Sequence, residues 1–208
     1  MSLLNRRRAL LSAKGKVLLP KEYQQVEWIR FWGSHCIDTG FCANQDTSVQ
    51  MKVKQGPDTV NQSFFCSRTN FFLDTFACFI VSKIIRHDYN ISQDTIGLQI
   101  QRDEIYDIYA HKNVLTVNEV THKINYANFN AESSLLLGGS RNAGEISIMN
   151  ALYGYMYFCK VWDNDTLIRD FIPCYRKTDG QTGMYDLVNG EFYTNCYGTV
   201  GFDVGGEV

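Results

Sequence analysis

The stretch YGYMYFCKVWDNDTLIRDFIPC (residues 153–174), followed by GMYDLVNGEFY (residues 183–193), decides the fold class of this chain. Its first half is rich in aromatic residues, DNDT (residues 163–166) is a turn sequence, and the second half alternates again. The stretch therefore predicts a long β-hairpin. Because its first strand is apolar on both faces from Leu152 to Trp162, we expect that strand inside a sandwich or beneath a loop, with Trp162 in the core.

The same rhythm of short strands and turns continues upstream. Of the 208 residues, 13% are aromatic and only 20% are charged, which favours strands over helices. Asp88, Tyr89 and Asn90 are assigned to a turn. Short strands at near-regular spacing predict an all-β sandwich or barrel. The strand candidates outside the hairpin are residues 23–30, 35–39, 47–54, 63–67, 76–81, 96–101, 105–111, 114–117 and 134–137.

The N-terminus differs from the rest of the chain, and we divide the sequence into a basic arm (1–18) and a body (19–208). The first 16 residues carry five basic side chains and no acidic one, whereas the chain as a whole has a net charge of −2. The arm is either a flexible terminus or an assembly arm that becomes ordered against a neighbouring subunit. In the second case its docking residues would be Arg6, Arg7, Arg8, Leu10 and Leu11.

Composition argues against several classes of partner. The body is acidic, so we expect no nucleic-acid binding through it. No apolar run approaches the roughly 20 residues of a membrane-spanning helix, and no secretory signal is recognisable.

The seven cysteines include no C-x-x-C pair, and we expect reduced, mostly buried thiols. A metal cluster of His35, Cys36 and Cys42 would match no common zinc spacing.

Two blocks of sequence carry a resemblance. The first is LPKEYQQVEWI (residues 19–29), continuing to IDTGF (residues 37–41). The second is the hairpin from residue 162 onward with its continuation to residue 195. Together they resemble the concanavalin A/laminin-G-like jelly-roll modules of phage, prophage and surface proteins of Gram-positive gut bacteria. The middle of the chain is similar only in its strand rhythm.

The resemblance implies a two-sheet antiparallel jelly-roll sandwich with about six or seven strands in each sheet. The short N-terminal arm inferred from the charge pattern precedes it. It implies glycan binding or adhesion in many relatives, a structural role in others, and no catalysis. Residues 4–11 resemble the openings of small phage structural proteins. We therefore expect a non-enzymatic virion structural or decoration protein, assembled in the bacterial host cytoplasm, whose arm binds other virion proteins and whose jelly roll is a candidate for binding a host or mucosal glycan. A homo-oligomer is left open.

Two alternatives remain. The first is a tail-associated receptor-binding protein or a free carbohydrate-binding adhesion module. The less favoured one is a glycan-cleaving enzyme, which would need a pair of facing carboxylates. The E-x-D-x-x-E pattern that often supplies such carboxylates in related folds is missing from the sequence.

A glycan site would need an exposed aromatic ring beside polar groups. The polar segment from Arg86 to Asn90 is read as a loop, so Tyr89 is the preferred stacking residue, with Arg86, Asp88 and Asn90 as hydrogen-bonding partners. The other eligible aromatic residues are Trp28, Trp32, Trp162, Tyr106, Tyr109 and Tyr126.

No cofactor is expected, apart from calcium, which laminin-G-like modules often bind in loops. Asp163, Asn164 and Asp165 are the candidate ligands, although a tight hairpin would use the same residues for turn geometry alone. Asp38 and Asp186 are each expected to accept local backbone N–H bonds at a corner.

Overall fold

The structure is a computed structural model that describes residues 19–56, 61–70, 73–142, 144–147 and 150–208. The arm predicted for residues 1–18, with Arg6, Arg7, Arg8, Leu10 and Leu11, lies outside the described residues. Among the described residues, no helix is long and apolar enough to cross a membrane.

The described residues form β-strands connected by turns and loops. In chain order these are β1 (Tyr23–Gln25), β2 (Ile29–Trp32), β3 (Ile37–Asn44), β4 (Thr47–Gln55), β5 (Gln62–Ser67), β6 (Thr75–Val81), β7 (Ile84–Asn90), β8 (Ser92–Gln99), β9 (Ile105–His111), β10 (Val114–Val117), β11 (Val120–Lys123), β12 (Asn130–Leu137), β13 (Ser140–Asn142), β14 (Glu145–Ser147), β15 (Tyr153–Asp163), β16 (Thr166–Arg176), β17 (Thr182–Asp186), β18 (Glu191–Tyr193) and β19 (Asp203–Val204).

The strands build two antiparallel sheets that pack face to face. The large sheet has 11 strands, with the main order β11-β10-β9-β4-β15-β16-β17-β18; β1 pairs with β16, and β2 pairs with both β15 and β19. The small sheet has six strands in the order β3-β12-β5-β6-β7-β8, and β13 pairs only with β14. The predicted all-β sandwich is confirmed, but the large sheet has more strands than the six or seven expected.

The core lies between the two sheets, because alternating side chains of each sheet turn towards the other. Val49, Met51 and Val53 of β4 meet Phe65 and Phe76 of the small sheet in one apolar cluster, and all five are fully buried. Gly138 after β12 has φ = +71°, and a Cβ there would lie 2.5 Å from the Phe31 ring. A larger residue would therefore both strain the backbone and displace a core ring.

Arg169 joins the two sheets through polar contacts. Its guanidinium donates from Nε (3.1 Å) and Nη2 (3.0 Å) to the carbonyl oxygen of Thr39 in β3, and its Nε lies 3.6 Å from Oδ2 of Asp186 in β17. Asp186 is fully buried, and its Oδ1 accepts the backbone N–H groups of Asp170 (2.8 Å) and Val188 (3.0 Å). The predicted corner role of Asp186 is confirmed. That of Asp38 is confirmed as well, because its Oδ1 accepts the N–H of Gly40 at 3.0 Å.

The hairpin predicted for residues 153–174 is confirmed as β15 and β16. Asp163 pairs with Thr166, and Asn164 (φ 45°) and Asp165 (φ 63°) adopt the left-handed conformation that a tight hairpin turn requires. The expectation that both faces of β15 are covered is wrong. Cys159 and Val161 are buried, but Trp162 lies outside the core and is half-buried.

The segment from Arg86 to Asn90, expected as a loop, is the second half of β7. Arg86 and Asp88 face away from the large sheet, whereas His87 and Tyr89 point into the core. The polar composition therefore reflects an outward-facing ion pair on a strand. The chain reverses only at Asn90, whose φ is 54°.

His87 is a buried histidine whose lost hydration is not replaced by hydrogen bonds within the described residues. Its side chain is fully buried, and neither ring nitrogen has a hydrogen-bond partner within the described part of the chain. Desolvation, the larger cause, and the nearby charge of His122 lower the pKa of His87 to about 3, while Asp94 opposes the shift. The folded state therefore keeps His87 neutral at pH values where the unfolded chain protonates it.

We expect His87 to make the protein less stable as the pH falls from 6.5 towards 3, because only the unfolded state takes up the proton. The loss should be about 1.4 kcal/mol per pH unit. Asp88 acts in the opposite direction, since burial raises its pKa from 3.8 to about 6, so it adds stability as the pH falls between those values. Urea unfolding of the wild type and of His87→Leu between pH 7 and pH 4 isolates the His87 contribution.

In this experiment the stability of the wild type relative to His87→Leu should fall with acidification. His111→Gln, which changes a half-buried histidine that is not among the causes of the His87 shift, is the matched control and should follow the wild type. Parallel pH profiles for the wild type and His87→Leu would contradict the prediction.

Candidate functional site

The four residues predicted to bind a glycan do not form an exposed site. Tyr89 is fully buried, and its hydroxyl lies 3.1 Å and 3.2 Å from the carbonyl oxygens of Gln45 and Ala127. Its ring therefore has no free face for a sugar, and the expectation that Tyr89 is exposed is wrong. Arg86 and Asp88 form an ion pair at 2.7 Å in which the carboxylate side chain is only 1% exposed.

The three calcium candidates have separate partners. Oδ1 of Asp163 accepts a hydrogen bond from Nδ2 of Asn44 at 2.9 Å, and Oδ2 of Asp165 lies 3.9 Å from Nζ of Lys112. Asn164 and Asp165 supply the positive φ angles of the turn. The described residues include no group of three or more His, Cys, Asp or Glu side chains placed to hold a metal ion.

The most distinctive surface is the outer face of the large sheet, the side turned away from the small sheet. All three tryptophans of the chain, Trp28, Trp32 and Trp162, lie here and none is in the core. Strand alternation explains the outward placement of Trp32 on β2, because Ile29 and Phe31 point inward and are fully buried while Arg30 and Trp32 point outward.

One group of rings on this face surrounds an arginine, and we call it the arginine cluster: Trp28, Arg30, Trp32, Tyr153 and Tyr155. The guanidinium carbon of Arg30 lies 3.4 Å from the ring centroid of Trp32, 5.0 Å from that of Tyr155 and 5.9 Å from that of Tyr153. Trp28 meets Tyr155 edge-on at 4.8 Å, and Trp32 meets Tyr153 edge-on at 5.4 Å. These are the distances of favourable cation–π and aromatic contacts.

Polar contacts fix the cluster in place. Nε1 of Trp32 donates to Oδ2 of Asp203 in β19 at 2.9 Å, which sets the orientation of the indole ring. Nε of Arg30 is buried and has no hydrogen-bond partner within the described residues. Nζ of Lys54 lies 5.4 Å from the Tyr155 ring centroid and adds a second cation. Because Trp32 remains 38% exposed, an ordered ring and two cations meet solvent at one place.

A second group on the same face is the histidine cluster: Tyr109, His111 and Trp162. The Tyr109 and His111 rings stack at 5.8 Å with an interplanar angle of 19°, and Trp162 meets Tyr109 edge-on at 6.4 Å. The hydroxyl of Ser48 lies 2.9 Å from Nδ1 of His111. Trp162 follows Tyr155 by seven positions along β15, so the two clusters are about 23 Å apart along the strand.

A separate cavity of about 440 Å³ opens between the turn after β16 and the loop after β18. Most of its lining is polar or glycine, with one charged carboxylate, that of Asp179, which already pairs with Arg176 at 2.6 Å. The lining residues are Asp179, Gly180, Gln181, Thr182, Thr194, Asn195, Gly198, Thr199, Val200 and Gly201. Its size is that of a small-ligand site, but no aromatic ring lines it.

Trp28, Trp32, Trp162 and Tyr109 were among the aromatic residues that the sequence offered for sugar stacking, but Tyr89 was the predicted one. The alternation of Trp28, Arg30 and Trp32 with the apolar Ile29 and Phe31 was the signal that could have identified the outer face. Tyr106, also eligible, points into the core, and Tyr126 is exposed elsewhere.

Comparison with known proteins gives a fold and no sequence family. No protein-family model and no curated protein matches the sequence. Among solved structures, the native heptameric SAP-like pentraxin from Limulus polyphemus is similar, with a TM-score of 0.54, 10% identity, and coverage of 88% of this chain and 96% of the pentraxin chain. The fold is a two-sheet antiparallel jelly roll. This confirms the predicted fold class.

A second protein is also similar. It is the Ruminococcus gnavus IT-sialidase CBM40, in one structure alone (TM-score 0.47) and in another bound to alpha2,3 sialyllactose (TM-score 0.49). In both cases the identity is 12%, and the alignment covers 69% of this chain and 92% of the other.

We expect added Ca²⁺ to leave the melting temperature of this jelly roll unchanged within about 1 °C, because the candidate ligands have separate partners and do not converge. Thermal unfolding followed by circular dichroism in EDTA and in millimolar CaCl₂ tests this. A rise of several degrees that disappears in Asp163→Asn would show instead that the turn holds the ion.

Proposed function

We propose that the protein is a non-catalytic glycan-binding module whose binding surface is the outer face of the large sheet. The observation that carries this proposal is the placement of all three tryptophans on that face, outside the core. Tryptophan is normally buried extensively, and an exposed group of aromatic rings beside polar donors is characteristic of a binding surface. Sugars offer apolar C–H faces to such rings and hydroxyl groups to the neighbouring donors.

The arginine cluster is ordered before any ligand arrives, which supports the proposal. Trp32 is held by the hydrogen bond to Asp203 and by the stacked guanidinium of Arg30. A ring that is already fixed loses little side-chain entropy on binding. Arg30 and Lys54 can then donate to sugar hydroxyls at the edge of the stacking surface.

Two carboxylates on this face have structural partners, which favours binding over hydrolysis. Asp203 accepts the indole N–H of Trp32, and Asp170 pairs with Nζ of Lys160 at 2.6 Å. A glycosidase needs one carboxyl group to donate a proton and another to act as a nucleophile or base. A carboxylate that accepts a hydrogen bond from an indole or pairs with a lysine stabilises the fold.

The test is a glycan array with the full-length chain, followed by calorimetric titration of the best ligand. Trp32→Ala and Arg30→Ala should each weaken binding about tenfold or more, because they remove the central ring and its donor. Tyr126→Ala removes an aromatic residue that is 53% exposed outside both clusters, and its affinity should equal that of the wild type.

Circular dichroism of each variant separates lost binding from lost folding. A silent array, or a folded Trp32→Ala variant that binds as tightly as the wild type, would refute the proposed surface. Trp162→Ala distinguishes a short ligand, which it should leave unaffected, from an extended one that also reaches the histidine cluster.

A second proposal concerns the setting of the module. The resemblance of both ends of the chain to phage and prophage modules, together with a basic N-terminus before an acidic body, supports a virion decoration protein, or a tail-associated receptor-binding protein, that is anchored by residues 1–16. Opposite charges would favour docking of the arm on an acidic neighbour while the body points outward.

Deletion of residues 1–16 should abolish incorporation into particles and leave the circular dichroism spectrum of the body unchanged. Two full-length variants separate the electrostatic and apolar contributions of the arm. One removes the charge by changing Arg6, Arg7 and Arg8 to Ala. The other removes apolar contact by changing Leu10 and Leu11 to Ser. Quantitative blotting of purified particles is the measurement. Incorporation of the deletion variant at the wild-type level would exclude anchoring by the arm.

A further inference from the structure

Two cysteines that are far apart in the sequence meet in the fold. Cys36 precedes β3, and Cys196 follows β18. The backbone N–H of Cys196 donates to the carbonyl oxygen of Cys36 at 2.9 Å, so the two residues are neighbours in the fold. The N–H of Cys36 in turn donates to Oδ1 of Asn195 at 3.1 Å, across 159 residues of sequence.

The thiols of this pair also contact each other. The Cys36 thiol hydrogen-bonds to the Cys196 sulfur; this bond lowers the pKa of Cys196 and, together with burial, raises the pKa of Cys36. Cys36 is fully buried, whereas Cys196 is half-buried and reachable from solvent. The pair therefore combines an accessible thiol that forms a thiolate readily with a hidden thiol behind it.

The remaining cysteines behave differently. Cys66, Cys78, Cys159 and Cys174 are fully buried, and desolvation raises the pKa of each. Cys42 is exposed, but desolvation raises the pKa of its thiol as well. Among the described cysteines, Cys196 is thus the preferred nucleophile.

We propose that Cys36 and Cys196 are a thiol–disulfide site that closes to an intramolecular disulfide when the protein meets a low-molecular-weight disulfide of the oxidised glutathione class. A backbone hydrogen bond and a thiol–thiol hydrogen bond bring the two residues together, as a disulfide requires, since it joins Cα atoms that are about 4.4–6.8 Å apart. The sequence predicts thiols that are reduced in the cytosol. A thiol pair that exchanges with disulfides would also be reduced there, and it would close to a disulfide once the protein leaves the cell.

The reaction balances in two exchanges. The Cys196 thiolate attacks one sulfur of the disulfide RSSR, forms the mixed disulfide Cys196–SR and releases RS⁻. Cys36 then loses its proton, attacks the Cys196 sulfur and displaces the second RS⁻. The two protein thiols are oxidised by two electrons, RSSR is reduced to two RSH, and the two thiol protons end on the two RSH molecules.

The bond would fix one wall of the 440 Å³ cavity. The loop after β18 is held at present by hydrogen bonds: Nδ2 of Asn195 donates to the carbonyl oxygens of Tyr197 (2.8 Å) and Val200 (3.0 Å), and Nε2 of His35 lies 3.1 Å from the carbonyl oxygen of Gly201. A covalent link at Cys196 would tie this loop permanently to the start of β3 and limit the opening of the cavity.

The experiment treats the full-length protein with oxidised glutathione at mildly alkaline pH, quenches it with acid and maps its peptides without reduction. Digestion at Lys and Arg, then before Asp38, separates Cys36 from Cys42. We expect a Cys36–Cys196 linked peptide, an intact mass lower by two hydrogen atoms, and a melting temperature higher by about 5–10 °C that reductant reverses.

Variants assign the two roles. Cys36→Ser should accumulate the glutathione adduct on Cys196, because the second thiol is missing, and Cys196→Ser should leave Cys36 unmodified. Cys42→Ser is the matched control and should cross-link like the wild type. Three results with the wild-type protein would overturn the proposal: a peptide map with no linked peptide, a persistent adduct on Cys196, or a Cys36–Cys42 link. These results do not depend on whether the variants fold.

Discussion

The sandwich depends on the contact of Arg169 with Asp186 and with the carbonyl oxygen of Thr39. Arg169 and Asp186 lie on neighbouring strands of the large sheet, and Thr39 lies on the small one, so a single guanidinium connects both layers. Breaking such a pair leaves a buried charge without compensation, which costs about 3–5 kcal/mol. The three residues come from segments that are far apart in the sequence, residues 37–41 and 162–195, and this contact joins those segments in the fold.

The outer faces of the two sheets have different chemistry. On the small sheet, ion pairs cover the polar groups: Arg86 with Asp88, and Arg141 with Asp38. The large sheet also has ion pairs, Lys160 with Asp170 and Lys54 with Asp103, but here aromatic rings in addition contact one another and hold Arg30 against Trp32. A face whose charges are paired internally offers few donors to a ligand. The aromatic face keeps rings and cations in contact with solvent, and for this reason we place ligand binding there.

Local sequence predicted the hairpin well because turn residues and alternation are local properties. It failed at Tyr89, since a run of polar residues is common to loops and to the outward positions of a strand. It failed at Trp162 because a strand that is apolar on both faces does not show which face is the core. The contact of Cys36 with Cys196 depends on chain ends that meet only in the finished fold, and no spacing rule predicts it.

The arginine cluster is completed by the segment 202–208. Asp203 holds the indole of Trp32, and the N–H of Gly205 donates to the carbonyl oxygen of Trp28 at 2.9 Å. These partners follow β2 by some 170 residues, which makes the surface a product of very distant contacts that form slowly. During synthesis on the ribosome, Trp28 and Trp32 would remain without these partners until this segment emerges. A nascent chain would therefore expose aggregation-prone aromatic rings before it could bind any sugar.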